Sequence, residues 1–120
     1  MSKEDALETA DLAGELIMAA RRKVGKARAR ERKRGNPLPE VESIRRAAGR
    51  AESDLADFEA ELEASRTVVS APSRKEINAA ATQLQEIRNL SAREAATRTG
   101  LKKLSDALAT AKSLKNGIKL

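Results

Sequence analysis

Apolar residues recur near the start of the chain at Ala6, Ala10, Ala13, Ile17, Ala20, Val24 and Ala27, at spacings that alternate between three and four. Residues so spaced share one face of a helix, so the pattern predicts a long amphipathic helix with a single apolar seam. Ser2 followed by Asp5 marks its start. The next seam positions, Glu31 and Arg34, are charged, so the stripe runs out after Ala27 although nothing before Gly35 stops the helix. Gly14 and Gly25 weaken this helix without breaking it.

The clearest break is Gly-Asn-Pro-Leu-Pro at residues 35–39. Each proline biases the residue before it away from helical geometry, and Pro39 suits the first turn of a new helix. A second seam then reads Val41, Ile44, Ala48, Ala51, Leu55, Phe58 and Leu62. Two long amphipathic helices joined by a short connection predict an antiparallel hairpin over residues 3–66 with its tip at 35–39. Folding the chain between Pro37 and Leu38 would pair Ala13 with Leu62, Ile17 with Phe58, Ala20 with Leu55, Val24 with Ala51 and Ala27 with Ala48. Small residues would then face large ones where one helix is bulky, as for Ala13 with Leu62 and Ala20 with Leu55, and small or medium residues would meet nearer the tip.

Pro72 closes the second unit, and Ser73 with Glu76 has the spacing of a capping box. Ile77, Ala80, Leu84 and Ile87 form a third stripe. Ser91 with Glu94 repeats the capping spacing, and the later stripe of Leu101, Leu104, Leu108, Ala111 and Ile118 is out of phase with the third. Helices over residues 73–90 and 91–116 follow, separated by a kink or a fresh start near Ser91. The last residues, Lys112 to Leu120, read as a fraying basic end.

Composition agrees with packed helices. Of 120 residues, 23 are alanine and one, Phe58, is aromatic; sandwiches and barrels need β-branched and aromatic strands instead. The expected fold is all-α: one domain over residues 1–120, an alanine-rich bundle of three to four helices built on a long, coiled-coil-like hairpin. Cysteine and histidine are both absent, which removes disulfides, thiolate metal sites and the commonest general base. The acidic opening lacks the form of a secretory signal, and no apolar run approaches the ~18 residues of a membrane span. A cytoplasmic protein with no membrane contact is expected.

Charge is unevenly placed. Residues 21–50 hold twelve basic and three acidic residues, whereas residues 1–20 and 51–65 together hold one basic and eleven acidic. An antiparallel hairpin is therefore acidic at its open end and basic at its tip. Residues 66–120, with eleven basic and four acidic residues, can pack across the acidic end; the basic tip has no such counterweight. Arg21, Arg22, Lys23, Lys26, Arg28, Arg30, Arg32, Lys33 and Arg34, with Arg45 and Arg46 beside them, are the candidate contacts to an acidic partner. Arg28, Arg30, Arg32 and Lys33 stand first among them. Lysine and arginine so arrayed neutralise phosphates along a nucleic-acid backbone. With no aromatic nearby to stack bases, such contact would be to backbone and not to sequence.

The competing explanation of the run is a solvated face that keeps an alanine-rich bundle soluble. Another is a protein-interaction module, an adaptor, inhibitor, chaperone or self-assembling subunit, meeting an acidic protein surface or a second copy head to tail. The acids of the second helix, Glu52, Asp54, Asp57, Glu59, Glu61 and Glu63, are spread over several faces and are expected to be solvated or bridged to the C-terminal helices. Ser73 and Ser91 read as caps and not nucleophiles. No enzyme chemistry, cofactor, metal or small-molecule substrate is expected.

Overall fold

The computed structural model describes residues 3–35 and 38–120. Met1, Ser2, Asn36 and Pro37, and with them the expected helix start at Ser2 and part of the expected tip, lie outside the described residues. Helix α1, Lys3–Lys33, is unbroken for 31 residues, a rod of about 46 Å. It ends where Gly35 adopts φ +68°, a left-handed conformation that glycine takes without the steric cost of a side chain. Helix α2, Pro39–Ala64, begins on a proline whose missing N–H would have had no partner in the first turn anyway.

Three more helices follow: α3, Arg74–Arg88; the single turn α4, Ala92–Ala95; and α5, Arg98–Gly117. The Ser73 hydroxyl accepts from the Glu76 N–H at 3.2 Å. The Ser91–Glu94 box is complete in both directions, at 3.1 and 3.2 Å. Thr97 makes a further start, accepting from the Gly100 N–H at 3.0 Å. The expected second C-terminal helix is thus one turn plus a restart, and with glycine at its third position that restart shows no capping box in the sequence.

Cross-links give the directions. Lys3 donates to the carbonyls of Glu63 and Ser65 at 2.7 and 2.9 Å, and Arg28 to Glu42 at 2.6 Å, so α2 runs against α1. Arg74 meets Glu8 at one end of α3, and Lys23 donates to the Leu90 carbonyl just beyond the other, so α3 runs with α1. Helix α5 returns toward Ile118, which packs with Ala6, Ala10 and Leu62. Helix α1 touches all four others, whereas α2 and α3 do not touch each other and flank the α1–α5 pair. The result is an elongated, flat bundle, 52 × 25 × 14 Å across its Cα atoms.

This central place explains burial beyond the expected seam. All seven seam residues of α1 are buried, and so are Thr9, Leu16 and Ala19, which turn toward the C-terminal helices. Leu16, Leu62, Ile87 and Leu104 are all fully enclosed, each worth roughly 1.5–3 kcal/mol of burial. Phe58 is half-buried against the small cluster at the base.

The hairpin register differs from the expected one. Leu62 groups with Ala6 and Ala10, not Ala13; Leu55 lies against Gly14; Arg28 faces Glu42. Partner numbers therefore sum to about 70 and not 75. One cause is where the helices end: α1 stops at Lys33 and α2 starts at Pro39, so the midpoint between them falls ahead of the Pro37–Leu38 bond assumed from the sequence. The tail does not fray either. Helix α5 runs to Gly117, Ile118 is buried, and Lys119 pairs with the extended segment through Val69 N–H at 2.7 Å and the Ser70 carbonyl at 2.8 Å.

Candidate nucleic-acid interface at the hairpin tip

The end of the hairpin is built by α1 and α2 alone. Two clefts there, of about 320 and 630 Å³, are lined only by residues 25–42 and Arg45. The larger lies over Gly25 and Ala29, and its rim is Arg28, Arg30, Arg32, Lys33 and Arg45, with no carboxylate among its lining residues. All four leading candidates and Arg45 are therefore brought together. Gly25 and Ala29 matter because short side chains leave the concavity open between long basic ones.

Several bases have internal partners, which corrects the expectation of a tip without counter-charge. Arg28 donates to Glu42 at 2.6 Å, Arg45 reaches the same carboxylate at 3.5 Å, and Arg21 is bridged to Glu52. Glu42 is held below its ordinary pKa, first by the hydrogen bond from Arg28 and then by the nearby charges of Arg28 and Arg45. Segment charges conceal this, because Glu42 lies inside the basic block and Glu52 outside it. Glu52 also answers to α1, not to the C-terminal helices. Among the described residues one ion pair, Arg74 to Glu8, joins the C-terminal segment to the acidic end of the hairpin. Lys102 and Lys103 pair with Asp106 and Glu86 of their own segment.

Lys23 is half-buried and its ammonium donates to the Leu90 carbonyl at 2.6 Å. Its pKa is lowered, first by burial and then by Lys26 and Arg22. Arg21, Arg22, Lys23 and Lys26 sit lower on α1, away from the larger tip cleft; Arg22, Lys23 and Lys26 line a separate groove. Arg34 and Arg46 are exposed but lie outside the tip clefts. Arg22, Lys26, Arg32, Lys33, Arg34 and Arg46 make no ion pair among the described residues.

Glu31 is the residue the charge pattern concealed. It continues the seam and is only 7% exposed, with Arg30 at 3.9 Å. Its seam position was the legible sign that it turns inward, leaving the bases around it outward. Among the described residues no cluster of acids could hold a metal ion, and no helix is long and apolar enough to cross a membrane. Comparison with protein-family models, with curated proteins and with solved structures finds no match to this chain.

Proposed function

We propose that this protein is a cytoplasmic, non-enzymatic accessory factor that uses its hairpin tip to bind a nucleic-acid backbone without reading base sequence. One observation carries the reading: a concave face at the end of the hairpin whose charged lining is five bases and no acid. A phosphodiester strand offers a row of single negative charges, and fixed arginines and lysines answer it by displacing condensed counterions. The absence of an aromatic side chain at the tip removes the stacking on which base-level recognition of single strands relies.

The test compares the native chain with a variant carrying glutamine at Arg30, Arg32, Lys33 and Arg45, on labelled duplex and labelled single strand over a salt series. Arg28 is left in place because it holds Glu42. Native binding should weaken steeply with salt, and the variant should lose affinity together with a slope of roughly 0.9 per duplex phosphate contact removed. Equal binding by both chains, or none by the native chain near physiological salt, refutes the reading.

A further inference from the structure

One stripe of α1 is left uncovered between α2 and α3. It carries Asp11 and Glu15, then Met18, then Arg22 and Lys26, all exposed, along a groove of about 740 Å³ that Glu52, Leu55, Ala56 and Glu59 of α2 and Arg88 of α3 also line. We propose that this stripe is a dimer interface on which α1 of a second copy docks antiparallel. A two-fold axis beside Met18 sets Asp11 against Lys26, and Glu15 against Arg22, of the other copy. The groove and the larger tip cleft share no lining residue.

The charge order selects the occupant. At 1.5 Å per residue, Asp11 and Lys26 lie about 11 Å to either side of the centre, and Glu15 and Arg22 about 5 Å. A stripe acidic on one side and basic at matching distances on the other complements itself only when reversed. A parallel partner sets like on like, while the antiparallel one repeats every pair twice and closes at two copies. Among the described residues, none of these four side chains makes an ion pair or side-chain hydrogen bond within one copy.

Two further features fit a second helix. Met18, at the centre, is 48% exposed, one of three large apolar side chains so placed among the described residues. Like charges also crowd at each end of the groove. The Glu59 carboxyl is raised, first by burial and then by Asp11 and Glu63, and Lys23 is lowered by burial, Lys26 and Arg22. The second copy brings the opposite sign to each end.

Sedimentation velocity over a concentration series, at low and at high salt, tests this with charge-swapped chains. The native chain should approach twice its monomer mass at low salt and dissociate at high salt. D11K/E15K makes the stripe wholly basic and R22E/K26E wholly acidic. Each alone should lose about ten- to several-hundred-fold in self-association, and their equimolar mixture should recover it. Should either double variant fold poorly, the quadruple swap keeps complementarity and must dimerise as the native chain does. In a chain without cysteine, Met18→Cys should give a disulfide-linked dimer on mild oxidation. A native chain that stays monomeric at low salt overturns the proposal, as does a mixture no better than its components, or a Met18→Cys dimer that oxidation fails to link.

Discussion

The packing of α4 on α5 can be tested by glycine-to-alanine substitution at Gly100, with the same change at Gly49 of α2 as its control. A Cβ on Gly100 would stand 1.9 Å from the Glu94 carbonyl oxygen and 2.9 Å from the Ala95 Cα. Both are backbone atoms that no rotamer change can move aside. The carbonyl is itself fixed, accepting from the Thr97 hydroxyl at 2.7 Å and the Thr97 N–H at 3.1 Å. Relief requires α4 and α5 to part by roughly 1 Å, disturbing Ala95 and Leu101, which are both buried. Overpacking of this kind costs about 1–3 kcal/mol, and a lost cap bond about 1 more. Alanine's better helix propensity returns about 1 kcal/mol. The net loss for Gly100→Ala is therefore about 2 kcal/mol, or roughly 8 °C in Tm for a chain of this length. Gly49 is exposed inside α2 with nothing within 4 Å of its Cβ position, so Gly49→Ala should gain about 0.5–1 kcal/mol and raise Tm by about 2–4 °C. Thermal unfolding followed by the helical circular-dichroism signal, at one protein concentration, reads both. A Gly100→Ala chain as stable as native refutes the close approach of α4 to α5, and a Gly49→Ala chain that loses stability refutes the open surroundings of Gly49.

Glu42 makes stability pH-dependent with a definite sign. Its folded pKa lies below the ordinary 4.5, so its contribution is present above that value and disappears as pH falls through the lower folded one. The gap in Tm between native and Glu42→Gln chains should be widest near neutrality and close in acid; a gap independent of pH would show that the Arg28 contact does not act through charge. Ile118→Ala should cost about 2–4 kcal/mol in urea unfolding, since Ile118 belongs to the base cluster with Leu62. A frayed end would lose nothing.

The hairpin, its seams and the caps at Ser73 and Ser91 were legible because each rests on local chemistry: apolar period, proline, or serine three residues before glutamate. What escaped depends on contacts between distant segments. Thr9, Leu16 and Ala19 form a weaker second stripe on α1 that gains meaning only once α3 and α5 pack there. The register shifted because pattern fixes which face turns inward but not how far one helix slides along another. The site divides in the same way. Arg28, Arg30, Arg32 and Lys33 were visible as a run, yet the tie from Arg28 to Glu42 follows from that slide. The inward turn of Glu31 was written in the seam and hidden by its charge.

The tip stands on two ordered helices, one of which continues without a break through the centre of the bundle. An arginine-rich segment that is disordered in isolation must give up backbone freedom when it meets its ligand, and that loss is subtracted from its affinity. Here α1 is helical through Lys33 and α2 from Pro39, so that ordering has already occurred on folding. The basic cleft is preorganised, and an anion that bound there would have only side chains left to immobilise.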